Sequence, residues 1–381
     1  MSVRNCVHFA HGINTFSGLT EYNFNMGLFM KEGKASALIE VGADMVRVGY
    51  VYGIPNTAPV LVYTGTVPVV QHEGEEIIES AKRAIRAGYD LLIKEGAPAL
   101  ARYAKSARVE DVVAAVGSPW EDTVVRTVRI EQQAAFTFTR EILKKAQQDK
   151  PEQKTEESGR IYSEPAVIST MLNGYETRDP FGKRVTRADV ITATSSFDAR
   201  VVAALKEAAH AAFHQHTMHI TAAAPLWFSV FRDAYPHEHD FLIITAQKST
   251  SDFVFVKQKH LVLCAAMPTG FIPDRTDGVA EKGNSTIWTR EAEVALKTFS
   301  ETHALPRTVF LMGEEHVSES LRGVLQNTAL RSLWLSDAGV AYIPVRAEAF
   351  ASFVSCLPDV SRDTHLLILA HYAMRVHSTK E

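Results

Sequence analysis

At 381 residues the chain is too long for a single ordinary hydrophobic core, so two or more domains are expected. Apolar residues make up 46% and charged residues 22%, the mix of a soluble globular protein, and a formal net charge of -4 excludes the electrostatic footprint of a nucleic-acid binder. Cys6, Cys264 and Cys356 are far apart, with no C-x-x-C pair, which argues against a disulfide framework or a cysteine zinc site.

Residues 1–31 read as an N-terminal tail whose Phe16, Tyr22, Phe24, Met26, Leu28 and Phe29 give it more aromatic character than a linker. A loosely ordered tail and a segment that docks on this protein or on a partner both remain open. Ala37–Gly42 and Met45–Val51 are β-rich runs around a short turn at Gly42-Ala43-Asp44, which predicts a hairpin, and Val60–Tyr63 a third strand. Glu75–Lys94 carries Ile77, Ile78, Ala81, Ala84, Ile85, Tyr89 and Leu92 at helical spacing. Val112–Val116 reads as a buried strand ending at Gly117-Ser118-Pro119, which completes an α/β beginning.

A second unit opens near Trp120, with a strand over Thr123–Ile130 and a short helix over Thr139–Gln147. The almost wholly polar stretch 148–160 predicts an exposed loop. Strands over Ala166–Leu172 and Ala188–Thr194 flank turns at Asn173-Gly174 and Asp179-Pro180-Phe181-Gly182, and Asp198–Phe213 is a strong helix. A third unit, from about Pro225, holds a helix over Leu226–Tyr235 and strands over Phe241–Ile244, Asp252–Val256 and His260–Ala265. Further on come a helix over Thr289–Thr302, a strand over Thr308–Met312, and helices over Val317–Gln326 and Thr364–Val376. No internal repeat at a short fixed period is visible.

Three patterns are similar to the actin-like ATPase superfamily as its FtsA/PilM-like members (cell division, type IV pilus assembly) build it. Leu38-Ile39-Glu40-Val41-Gly42-Ala43-Asp44 resembles the first phosphate hairpin, with Glu40 standing where the family has Asp. The block Thr123–Thr194 resembles the small inserted domain of that subgroup. Ile243–Phe253 resembles the second phosphate hairpin: Thr250, Ser251 and Asp252 are kept, Thr245 replaces the leading Asp, and Gln247-Lys248-Ser249 replaces the glycines. Gly313-Glu314-Glu315 falls where the adenosine motif has a glycine pair or triple, and the interval between Gly270 and Leu305 is short for the family's nucleotide-covering subdomain.

The resemblance implies an α/β, two-lobed actin-like (ribonuclease H-like) fold with a small α+β inserted domain. Its expected parts are a first lobe at 32–118, the insert at 119–197, and a second lobe at 198–381 with a reduced covering part at 267–306. It also implies a nucleotide site eroded to Glu40, Gly42, Asp44, Thr245, Thr250, Asp252 and Gly313, because a phosphate-hugging backbone needs glycines and a magnesium-facing acid. The expectation is a non-catalytic scaffold without cofactor, holding protein partners of a bacterial envelope assembly. A cytoplasmic peptide of a membrane protein and self-contacts through the insert or the cleft are the candidate interactions. The alternative is an ATP-binding switch or ATPase that uses Mg²⁺.

Other features read as structural. His210, His214, His216 and His219 have one helical four-residue spacing but no carboxylate partner in the run, so a metal site is not favoured. Trp120, Trp227, Trp288 and Trp334 are scattered, as core residues are. No P-loop, Gly-x-Ser-x-Gly or His-Glu-x-x-His motif is present. No apolar run reaches the ~18 residues of a membrane span, and the N-terminus lacks the pattern of a secretory signal. A cytoplasmic protein, at most peripheral to the membrane, is therefore expected.

Overall fold

The computed structural model describes residues 33–54, 57–148, 159–214, 217–273, 283–327, 329–334 and 339–378; the N-terminal tail and most of the polar stretch 148–160 lie outside them. The chain opens with β1 (Lys34–Val41), β2 (Met45–Gly53) and β3 (Val60–Pro68), an antiparallel meander. Helix α1 (Ile77–Leu91) continues through a π-helical turn at Leu92–Gly96 into α2 (Ala97–Tyr103), and β4 (Val109–Val116) returns parallel to β1. Then come β5 (Glu121–Thr137), α3 (Arg140–Gln148), β6 (Arg160–Tyr162), β7 (Ala166–Leu172), β8 (Tyr175–Glu176) and β9 (Arg184–Asp198). Helix α4 (Ala199–Phe213), β10 (Met218–Ala222) and α5 (Ala223–Ala234) follow. A second meander, β11 (Phe241–Ala246), β12 (Ser251–Lys257) and β13 (His260–Met267), precedes α6 (Ser285–Thr302), β14 (Thr308–Met312), α7 (Glu315–Asn327) and β15 (Ala341–Pro344). The chain then passes through β16 (Ser355–Cys356) into α8 (Thr364–Ser378).

The two principal sheets repeat one plan. In the first the order is β10-β4-β1-β2-β3-β16, and in the second β13-β12-β11-β14-β15. Matched outward from β1 and β11, each has two antiparallel neighbours on one side and two parallel neighbours on the other. The strands alternate faces with period two. Ala37, Ile39 and Val41 of β1 face α1 and α4, while Leu38 faces a core shared with α5 and α8. In β11, Phe241 and Ile243 enter that same shared core, whereas Leu242 and Ile244 pack with α6 and α7. Helix α5 is apolar nearly all round because Leu226, Trp227, Phe228, Val230 and Phe231 are buried between the two sheets.

A third sheet, β5-β9-β7-β8, occupies Glu121–Asp198, the stretch in which the sequence places an inserted unit. Asn173 and Gly174 both have positive φ (49° and 87°) and turn β7 into β8 as an Asn-Gly pair favours. The stretch 198–381, expected as one second-lobe unit, contributes to both lobes. β10 pairs with β4, β16 with β3, and α8 packs on the first sheet, so the second lobe is bounded by β11 and β15. The β10 strand Met218-His219-Ile220-Thr221-Ala222 is not among the elements expected from the sequence; its five residues do alternate apolar and polar, but so short a run directly after the histidine-rich helix end does not stand out as a separate element.

Both parallel pairs deliver their carboxyl ends to one cleft, the position where open α/β sheets place ligands. Close approach there depends on Gly270, since a Cβ at this position would lie 2.1 Å from the Lys248 carbonyl carbon and oxygen. Gly270→Ala should therefore destabilise the fold by roughly 2 kcal/mol or more, as overpacking against backbone does, read as a lower urea midpoint with unchanged slope.

Candidate functional site

The β1–β2 turn is closed by the Gly42 N–H donating to Met45 O (3.0 Å), and the β11–β12 turn by the Gln247 N–H donating to Thr250 O (3.0 Å). The two turns meet across the cleft. The Ala43 N–H donates to Gln247 Oε1 (3.3 Å), and the Ser249 N–H donates to Asp44 Oδ2 (3.0 Å), with the Ser249 hydroxyl donating to Asp44 Oδ1. A Cβ on Gly42 would come within 2.7 Å of Gln247 Oε1, so the glycine is what admits the amide. From behind, the Trp120 indole N–H donates to Gly42 O (2.9 Å) and fixes the turn against the chain entering the third sheet.

Glu40 is only 4% exposed, yet fully engaged. Its Oε1 lies 2.7 Å from His365 Nδ1, and Arg47 Nη1 donates to Oε2 at 3.3 Å while Arg47 Nε donates to Asp363 Oδ2 at 3.2 Å. Asp363 also accepts the Leu366 N–H (3.1 Å), which ties the network to the start of α8. Burial alone would raise the Glu40 pKa, but the charges and hydrogen bonds of His365 and Arg47 outweigh it and bring it down to about 2.

Asp252, 5% exposed, accepts the Ser118 hydroxyl on Oδ1 and the Thr245 hydroxyl on Oδ2 (2.9 Å). Here burial prevails over both hydroxyls and raises its pKa. Glu121, 7% exposed and bonded by the Thr123 hydroxyl (2.9 Å), is pushed up to about 8 by burial, with the nearby Asp252 adding to the effect. Thr250 Oγ1 is buried with no hydrogen-bond partner among the described residues.

Beside these turns lies a cavity of 570 Å³ lined by Asp44, Thr245, Gln247, Lys248, Gly313 and His365, and by apolar side chains from both lobes. Of the seven sequence-derived residues, Asp44, Thr245 and Gly313 line this cavity, Gly42 sits in the β1–β2 turn beside it, and Glu40, Thr250 and Asp252 are buried. Three partners carried no sequence signal: His365, which is 325 positions from Glu40; Ser118; and Arg47, whose place on a strand reads as an ordinary exposed charge. His210 and His214 stack edge to face at 6.3 Å away from the cleft, and His216 lies outside the described residues. Among the described residues no group of three or more His, Cys, Asp or Glu is placed to hold a metal ion, and no helix is long and apolar enough to cross a membrane.

The two buried glutamates load stability in opposite directions with pH. Unfolded Glu40 ionises near 4.5 and folded Glu40 at about 2, so its contribution is complete above 4.5 and is lost as pH falls toward 2. Glu40→Gln should lower stability at neutral pH by about 2–4 kcal/mol and remove that acid-side loss. Glu121 ionises near 4.5 unfolded and about 8 folded, so the folded state holds the extra proton and stability declines as pH rises through that interval. Glu121→Gln should flatten the decline; denaturant midpoints measured across this pH range check both.

No protein-family model matches the chain, and no curated protein matches it at the level of sequence. Solved structures do. A chain of the PilM-PilN type IV pilus biogenesis complex matches with TM-score 0.56 at 16% identity, over 89% of this chain and 98% of that one. A Bacteroides thetaiotaomicron protein with actin-like ATPase fold and unknown function matches over 90% and 98% at 12% identity, TM-score 0.42. The cytoplasmic domain of EpsL, an inner membrane component of the Vibrio cholerae type II secretion system, matches over 90% and 95% at 8% identity, TM-score 0.37. With its twice-used sheet plan, shared central core and inserted third sheet, the chain has the two-lobed fold of the actin-like ATPase superfamily.

Proposed function

We propose that this protein is a non-catalytic scaffold of a bacterial envelope assembly, which uses the actin-like frame to hold partner proteins rather than to turn over nucleotide. One observation carries the reading: each turn that would face a phosphate has its backbone N–H already taken by a side chain of the opposite lobe. A triphosphate would have to displace Gln247 Oε1 from Ala43 and the Asp44 carboxylate from Ser249, and would then meet that carboxylate as a like charge. A hydrated magnesium ion needs a free acid beside the phosphates. Glu40 is tied to His365 and Arg47, Asp252 is held by two hydroxyls, and Thr245 is neutral. The residues present do not fit Mg-ATP.

The pilus side of the proposal draws support from the likeness to a chain of the PilM-PilN complex, which names a type IV pilus biogenesis assembly. Cell division is the companion setting that the FtsA-like features of the sequence suggest. A cytoplasmic location, peripheral to the inner membrane, and a partner peptide from a membrane protein belong to the same proposal. The insert and the cleft are the surfaces through which partners would be held.

Titration calorimetry of Mg-ATP into the full chain should show no saturable heat; a Kd below about 100 μM overturns the non-catalytic reading. Turnover abolished by Asp252→Ala would instead establish the ATPase alternative. Affinity capture from the native host should enrich membrane components of pilus assembly; enrichment of a tubulin-like division protein moves the assignment to the other machine.

A further inference from the structure

The cleft is closed to phosphate at one end but is not filled. Its 570 Å³ lies within the range of small-molecule sites. Met45, Val69 and Val70 line it from the first lobe, and Phe271, Met312 and Val317 from the second. The two methionines give this lining an adaptable shape. A nucleotide cleft that had merely lost its ligand would leave polar donors aimed into the space. Here the Ala43 and Ser249 N–H donors at the turns are matched internally, and the remaining wall is largely apolar.

Two polar groups on that wall retain capacity. Gln247 uses Oε1 on Ala43, and its Nε2 has no hydrogen-bond partner among the described residues. Lys248, next in the same turn, lines the cavity without an acidic partner among the described residues. Two other charged groups on the wall are already held: Arg47 between Glu40 and Asp363, and Asp44 by Ser249. Among the described residues, the Lys248 ammonium and the Gln247 Nε2 amide flank an apolar chamber without a partner, while the carboxylates of Asp44 and Glu314 on the same walls oppose a second negative charge on any occupant.

We infer that the cleft binds a small apolar monocarboxylic acid, its carboxylate on Lys248 Nζ and Gln247 Nε2 and its hydrocarbon body between the methionine and valine walls of the two lobes. This inference rests on the non-catalytic reading, since bound Mg-ATP would occupy the same space. The occupant touches both lobes, so it adds contacts across the cleft without adding charge there beyond the one Lys248 balances.

The test uses octanoate on the full-length protein, by titration calorimetry with thermal shift as a second readout. Saturable one-to-one binding is expected, with octan-1-ol clearly weaker. Lys248→Gln should weaken octanoate roughly five-fold and leave octan-1-ol unchanged. Val70→Trp, at a half-exposed position lining the cavity, should fill part of it and abolish both. Absence of saturable binding, equal affinity for acid and alcohol, or an unchanged octanoate affinity in Lys248→Gln overturns the inference. A short apolar peptide acid that binds where octanoate does not also overturns it, assigning the cleft to a partner's C-terminus. Mg-ATP titrated in parallel separates the two failures: ATP binding defeats the non-catalytic reading, whereas silence from both ligands defeats only this inference.

Discussion

A backbone N–H aimed into a cleft must find an acceptor, and in this protein the acceptors at Ala43 and Ser249 are side chains supplied from across the cleft. In a phosphate-binding loop the same geometry waits for an anion. Asp44 brings the anion itself, covalently attached to the opposite turn, and Gln247 brings a neutral carbonyl oxygen. Gln247 is long enough to reach Ala43, and Gly42 leaves room for its amide.

Behind the turns, the treatment of buried carboxyls separates structural from strained charge. Glu40 and Asp252 are similarly inaccessible, but one is held well below its usual range and the other is raised. The difference is the partner. Glu40 meets a guanidinium and an imidazole, and its ionised form is favoured despite desolvation. Asp252 and Glu121 are held by hydroxyls, which solvate a carboxyl without compensating its charge, and the charge of Asp252 further disfavours ionised Glu121. The Glu40 network spans β1, β2 and the head of α8, so it joins the first hairpin to the last helix of the chain. The shared core in which α5 and α8 lie between both sheets does the same on a larger scale.

Periodicity and turn chemistry revealed much from sequence alone. The alternation through Ala37–Val51 marked the first hairpin, Asn173-Gly174 marked a tight turn that the structure shows with two positive φ angles, and Thr250-Ser251-Asp252 marked the second hairpin. Such signals are local, because a side chain's face is set by its own backbone geometry within a few residues. The altered composition of the 247–249 turn was equally plain, since residue type at a tight turn is read directly.

What tertiary structure alone decided is which distant groups meet. Nothing near Glu40 announces His365, nothing near Ser118 announces Asp252, and five residues of β10 join the first sheet only because β4 offers them an edge. The duplication of the sheet plan is likewise invisible in the residues, for the two halves share pairing directions and not side chains. Sequence determined the elements, the residue types of the 247–249 turn and the candidate residues, since these depend on local sterics and hydrophobic pattern. Whether a turn's N–H groups face solvent, a ligand or another turn depends on how two lobes dock, and that is set by long-range packing summed over the whole core.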